Sequence, residues 1–269
     1  MTRSAEHSVP SLDELASIAK ELALASRRET LRLAPSERQA RDKGLDGGYD
    51  PVTEADRAAE AVIRESIARR FPDHGIHGEE FPHKPAAGRF TWSIDPIDGT
   101  RSYICGLPNW TTLIALLDEG EPVIGLIDAP CLDETYVAKG SEATLIRSGE
   151  QFSIATSGCR RIGEARFSTT DPFLFGTAAD ALQRVLRAVR VTRYGHDAYA
   201  YALLALGSID LVIEAGLKPH DYNALIPVVR AAGGYFGDWS GGNDFASGNV
   251  IAAASRELYD AAVELLAAA

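Results

Sequence analysis

The sequence predicts a mixed fold in two subdomains, α+β over residues 1–155 and α/β over residues 156–269. Three observations support this. Two capped amphipathic segments stand near the N-terminus, short β-type runs separated by Gly, Pro or Asp follow between Phe90 and Arg147, and from about residue 156 helical and extended runs alternate.

In chain order, Ser11-x-x-Glu14 is a capping-box pattern behind Pro10, and Leu15, Ile18, Ala19 and Leu22 recur at helical spacing. They predict a first helix running to about Leu33. Residues 41–51, RDKGLDGGYDP, form a loop by their Gly, Asp and Pro content. Thr53-x-x-Asp56 then opens a second helix with Ala59, Val62, Ile63 and Ile67 on one face, ending near Phe71. The runs FTWSID, WTTLIALL, PVIGLIDAP, ETYVAKG and ATLIR predict a sheet that is largely antiparallel because its connections are short. Beyond it come a helix from Phe173 to Val189, the strand VTRY, a helix from Tyr199 to Leu206, the strand DLVIE, a helix after Asp221, strands near Tyr235 and at NVIAAA, and a closing helix. Trp92 and Trp110, on apolar runs, are expected in the core.

A chain of 269 residues with 45% apolar and 24% charged residues has the make-up of a globular protein with a sizeable core, which excludes a disordered class. The net charge of −11 opposes a nucleic-acid partner and suits carboxylates that collect metal. Cys105, Cys131 and Cys159 are few, widely spaced and without C-x-x-C, so neither a disulfide framework nor a thiolate zinc site is expected, and Cys105 is assigned as a buried structural thiol. The N-terminus lacks a continuous apolar segment, and the longest apolar run, Ala198 to Leu206, is too short to span a bilayer. The expectation is a cytoplasmic protein with no membrane partner.

The sharpest local feature is Asp95-Pro96-Ile97-Asp98-Gly99-Thr100 after the strand FTWSI. Pro96 should stop a central strand, leaving Asp95 at the strand end and Asp98 near the next helix start, where Gly99 and free N–H groups admit a phosphate. Two further acids follow Gly78 in His77-Gly78-Glu79-Glu80, and Pro219-His220-Asp221 places another just before a helix beginning near Tyr222. Carboxylates at three element ends suit a hard cation such as Mg²⁺. The D-x-x-D spacing differs from the D-x-D of haloacid-dehalogenase chemistry, and neither G-x-S-x-G nor a Walker A pattern occurs. His74 and His77, three apart in an extended run, should face opposite sides rather than share zinc.

The segments DPVTEAD (50–56), GEE (78–80), WSIDPIDGT (92–100) and HDYNAL (220–225) together resemble the inositol-monophosphatase family of Mg²⁺-dependent, lithium-sensitive phosphomonoesterases. Within it, DGTRSYICGLPNWTTLIALL and GHDAYAYALLALGSIDLVIEAGLKPHDY look most like the histidinol-phosphate phosphatases. The resemblance implies the layered α-β-α-β-α sandwich of the sugar phosphatases, a homodimer, and two to three Mg²⁺ ions per site. It also implies hydrolysis of L-histidinol phosphate by a metal-activated water in histidine biosynthesis. An inositol monophosphatase or another small-molecule monoesterase is the alternative, and a regulatory scaffold for a protein or RNA partner is a third reading.

Residue by residue, the resemblance implies that Glu79, Asp95 and the Ile97 carbonyl hold one metal, that Asp95, Asp98 and Asp221 hold a second, and that a third lies near Glu79 and Asp50. Thr100, with Glu79 or Asp50, would orient the attacking water, and the backbone of Gly99 and Thr100 would meet the phosphate. Lys43 matches a loop lysine of the family. Glu214 matches a substrate-hydroxyl position, and with Asp197 in the GHDAY turn it could grip a cationic amine. Asp197 could equally cap the helix that follows it. Arg101 would bind phosphate or a network of substrate-side carboxylates. Glu79, Asp95, Asp98 and Asp221 bring four negative charges, and a phosphate monoester adds about 1.5–2 more, a sum that three divalent cations balance.

Overall fold

The computed structural model describes residues 10–33, 38–43 and 51–268. Asp50, with the rest of residues 44–50, lies outside them. Helix α1 (Leu12–Thr30) starts on the Ser11–Glu14 capping box. It stops at Thr30, before Leu33, with Leu31 as the C-cap, off the buried stripe and 45% exposed. Strands β1 (Ala40–Asp42) and β2 (Pro51–Thr53) pair antiparallel at the two ends of the stretch that the sequence marks only as loop. Three-residue strands held by backbone pairing carry no apolar alternation to reveal them. Helix α2 (Glu54–Arg70) begins on the Thr53–Asp56 capping box.

Strand β3 (Gly75–Gly78) pairs in parallel with β4 (Phe90–Asp98). After the single turn of α3 (Thr100–Ile104), antiparallel neighbours β5 (Thr111–Asp118), β6 (Glu121–Ala129), β7 (Glu134–Lys139), β8 (Glu142–Arg147) and β9 (Glu150–Ser153) complete a seven-stranded sheet in sequence order. Pro96 does not stop β4. The strand continues to Asp98 with its pairing interrupted between Asp95 and Asp98, so the proline sits in a bulge where no ladder N–H is demanded of it.

A second sheet is built from β10 (Arg166–Thr169), β11 (Val191–Tyr194), β12 (Leu211–Glu214), β13 (Tyr235–Asp238) and β14 (Val250–Ala253), in the order β11-β10-β12-β14-β13. It is parallel across β11-β10-β12 and antiparallel beyond. Its helices are α4 (Ala179–Ala188), α5 (Tyr199–Ala205), α6 (Pro219–Tyr222), α7 (Leu225–Ala231) and α8 (Arg256–Ala267). The helix expected from Phe173 is divided. Residues Pro172–Ala178 form a 3₁₀ segment in which Gly176 (φ 50°, ψ −119°) leaves helical geometry before α4 begins. Asp221 lies inside α6 rather than ahead of a helix.

Three cores stack these elements into the α-β-α-β-α sandwich. Leu15, Leu22, Ile63 and Ile67 of α1 and α2 pack on Trp92, Ile114 and Leu126 of the first sheet. Leu113, Ile127 and Tyr136 from the opposite face meet Leu204, Val228 and Val229 of α5 and α7, which also cover Val212 and Ala252 of the second sheet. Leu182 and Val185 of α4 and Leu258 and Tyr259 of α8 close the far side over Phe167, Leu211 and Ile251. Trp92 and Trp110 are fully buried, whereas Cys105, expected inside, is exposed just beyond α3. No helix among the described residues is long and apolar enough to cross a membrane.

The second sheet ends in a turn organised by Asp238, whose carboxylate accepts from the N–H groups of Ser240 (2.6 Å), Gly242 (3.0 Å) and Asp244 (2.7 Å). Burial alone would push this carboxyl up, but those bonds outweigh it and hold it below the usual carboxylate range. Its stabilising contribution is therefore complete above the unfolded-state value near ~3.9 and disappears as pH falls through the lower folded value. Asp238→Asn is expected to cost about 1–3 kcal/mol at neutral pH, with the deficit shrinking in acid, as read by urea denaturation at a series of pH values.

Candidate active site

Three carboxylates converge where β4 ends and α6 begins: Asp95, Asp98 and Asp221 each offer an oxygen within 4.8 Å of the other two. Local structure aims them. The bulge turns Asp95 inward, where its Oδ1 accepts from the Ile97 N–H at 3.1 Å. Asp98 precedes Gly99, a residue at φ 81° on which a Cβ would come within 2.8 Å of Asp197 Oδ2, so only glycine makes this turn without displacing a neighbour. Asp221 lies in the first turn of α6 and reaches back to the Lys218 N–H (2.7 Å). His220 Nε2 stands 3.4 Å from Asp221 Oδ1.

The electrostatics are those of an under-compensated anion cluster. Burial holds the Asp95 carboxyl well above the usual range, and Glu79, Asp98 and Asp221 push it further the same way. Asp98 is raised by burial, then by Asp197 and Asp221, against the Ala198 N–H bond. Asp221 is raised by burial against the pull of His220. The hydrogen bonds that Asp95 and Asp98 receive come from the backbone N–H groups of Ile97 and Ala198. Converging hard oxygens that raise one another's pKa fit a divalent cation such as Mg²⁺, for which Asp95, Asp98 and Asp221 are the ligand candidates.

Glu79 follows β3 and pairs with Lys43 Nζ at 2.7 Å; the same nitrogen reaches Glu80 at 2.6 Å. This segment is held by Glu60 of α2, fully buried, whose Oε2 accepts the Glu80 N–H at 2.7 Å. Gly78 is required for that approach, since a Cβ there would fall 2.1 Å from Glu60 Oε1. The Ile97 carbonyl accepts the Thr100 hydroxyl at 3.0 Å. Burial raises the Asp197 carboxyl above the usual range, against the Ser102 hydroxyl, His196 and Arg101, the last exposed on α3.

Asp197 and Glu214 come together with Asp98 and Asp221 around a cavity of about 130 Å³ that Thr170, Leu174, Tyr201, Leu217 and Leu225 also line. Glu214, 2% exposed at the end of β12, takes the Thr170 N–H (2.7 Å) and hydroxyl (3.0 Å) on Oε1 and the Thr169 hydroxyl (3.3 Å) on Oε2. Burial, against those bonds, pushes it up to about 8. Asp197 does not cap α5. It adopts φ 47° and accepts from the Ser102 hydroxyl at 3.0 Å, while Asp98 Oδ2 takes the Ala198 N–H at 2.7 Å from across the two sheets. Thr170 and Tyr201 were not legible as site residues: β10, which delivers Thr170, is short and lacks alternation, and Tyr201 belongs to an apolar helical run. His74 Nδ1 accepts the Trp92 indole N–H (3.1 Å), while His77 turns toward His83 and His220.

The profile of the inositol monophosphatase family matches residues 11–269. The chloroplastic bifunctional phosphatase IMPL2 of Arabidopsis thaliana is 43% identical over 228 residues, covering 80% of this chain and 65% of its own length, just under two thirds. A histidinol-phosphatase of Chlorobaculum parvum is 34% identical over 209 residues, 77% of this chain and 80% of that protein. The solved structure of an inositol monophosphatase from Zymomonas mobilis superimposes with a TM-score of 0.81 at 34% identity, over 96% of this chain and 99% of the other. Fold, carboxylate cluster and relatives together define a phosphatase that hydrolyses phosphoric monoesters. The chain belongs to the inositol monophosphatase family.

Proposed function

We propose that this protein hydrolyses L-histidinol phosphate to L-histidinol and phosphate, a step of histidine biosynthesis, with two to three Mg²⁺ ions, as a cytoplasmic, lithium-sensitive homodimer. The observation that carries the substrate is the acidic cavity: Asp197 and Glu214 stand beside the Asp95–Asp98–Asp221 cluster, where an ammonium on the leaving group would meet carboxylates. An ammonium beside Glu214 favours its ionised form, so cation and acid stabilise one another inside the pocket. The Chlorobaculum parvum relative supports the same substrate.

Bound Mg²⁺ would supply the positive charge that offsets the phosphate and would acidify the water that attacks it. The chain's own groups do the placing. The Thr100 hydroxyl commits its proton to the Ile97 carbonyl, so its oxygen is left to accept a hydrogen bond from a water molecule. Asp50 is proposed to share that task from outside the described residues, and Glu79, which shares Lys43 with Glu80, is proposed to serve the first cation with Asp95 and to lie near the third. Gly99 leaves room for the Asp197 carboxylate beside the turn, and the backbone N–H groups of Gly99 and Thr100 are proposed to meet a phosphate oxygen. Ser102 orients Asp197, and the two threonines orient Glu214.

The test is phosphate release, with and without Mg²⁺, from histidinol phosphate, inositol phosphate, fructose bisphosphate and adenosine bisphosphate. The highest kcat/KM is expected for histidinol phosphate, and only with Mg²⁺. A higher value for inositol phosphate would move the assignment to the inositol-type reading, which the Zymomonas mobilis structure favours.

A further inference from the structure

Two residues of β4, Pro96 and Ile97, stand opposite a single residue of β5, because Asp95 pairs with Leu113 and Asp98 with Thr111. The residue facing that bulge is Thr112. Its hydroxyl donates to the Pro96 carbonyl at 2.8 Å, and its oxygen lies 3.2 Å from Ser26 Oγ of α1. With the single Thr112 proton committed to Pro96, Ser26 is the donor of the second bond. Both Ser26 and Thr112 are fully buried.

The next residue of α1 continues the grip. Arg27 forks onto Asp128 at 2.7 and 2.8 Å, and Asp128 is the β6 partner of Thr112. Successive residues of α1 thus hold successive strands, and the first of them reaches the bulge through a chain of hydroxyls.

We infer that Thr112 is a positioning residue for the Asp95 and Asp98 carboxylates, acting through the carbonyl of Pro96 with Ser26 behind it. A bulge shifts the direction of the residues that flank it, so the bond that fixes its middle fixes the separation of Asp95 and Asp98. The inference rests on the reading of those two acids as cation ligands. Groups that orient ligands without touching the metal typically account for about 10–100-fold in metal affinity.

The experiment is Mn²⁺ binding to the full chain without substrate, followed by electron paramagnetic resonance, for wild type, Thr112→Val and Thr112→Ser. Valine keeps the shape and loses the donor; serine keeps the donor. Thr112→Val is expected to bind Mn²⁺ about 10–100-fold more weakly and to need correspondingly more Mg²⁺ for half-maximal activity, while KM for the phosphate ester at saturating metal shifts less than about twofold. Thr112→Ser should stay within about threefold of wild type. Ser157→Ala, which removes a hydrogen bond to Asp210 just ahead of β12, serves as the stability control and should leave Mn²⁺ binding unchanged.

Wild-type affinity in a folded Thr112→Val, or equal weakening in all three variants, overturns the inference. If Thr112→Val does not fold, Ser26→Ala takes its place, with severalfold weaker Mn²⁺ binding expected and unchanged binding decisive against it. A wild-type protein that binds no Mn²⁺ overturns the metal reading itself, a result distinct from the others.

Discussion

Asp95→Asn is expected to reduce phosphate release by roughly a thousandfold or more, while the folded protein survives. Asp95 is 2% exposed and central to the carboxylate cluster, and the amide has the same shape and can still accept the Ile97 N–H on its oxygen. What it lacks is the charge. A cation that stabilises developing charge at a phosphoryl centre contributes several kcal/mol, and about 4 kcal/mol corresponds to ~10³ in rate. Stability should move the other way from activity. Without metal, Asp95 is repelled by Glu79, Asp98 and Asp221, so neutralising it should leave the melting temperature in chelator unchanged or raised. Activity within tenfold of wild type at saturating Mg²⁺ would reject Asp95 as a ligand.

The second large effect should depend on the substrate's charge. Glu214→Gln and Asp197→Asn are expected to lower kcat/KM for histidinol phosphate about 10–100-fold, the range set by about 1.5–3 kcal/mol for a hydrogen bond to a charged group. For glycerol phosphate, whose leaving group is uncharged, the loss should stay within about threefold, because the groups proposed to meet cation and phosphate are intact. Glutamine can keep both Thr170 bonds on its oxygen, which limits the structural cost of that change. Equal losses on both esters would mean that the acids support the cation cluster or the fold instead.

The parts of the site legible in the sequence are those whose chemistry is local. Asp95, Asp98, Glu79 and Asp221 each lie within two residues of a Gly or Pro, although β4 runs on past Asp95 and α6 contains Asp221, and the caps at Ser11 and Thr53 announce their helices within four residues. What the sequence hides depends on partners distant along the chain. Pro96 argues for the end of a strand, yet β5 accommodates it in a bulge. Asp197 has the pattern of a cap, but its carboxylate takes the Ser102 hydroxyl instead, and Asp98, almost a hundred positions earlier, accepts the Ala198 N–H beside it. Glu214 shows nothing in its neighbours of the Thr170 bonds that fix it.

The sequence distance between Asp98 and Asp221 also bears on how the molecule comes into being. The first sheet is complete at Ser153, well before Asp221 leaves the ribosome, and a chain closing a loop of this length pays an entropy that short-range pairing does not. During synthesis the β4 acids therefore precede the third carboxylate, and the elements already present to hold them are β3, β5, α1 and α2. A cation that needs all three oxygens can bind, during synthesis, only after Asp221 has emerged and α6 has joined the first sheet. It can only bind what the strands have already built, so its effect falls on the lifetime of the finished protein and not on the pace at which it is reached.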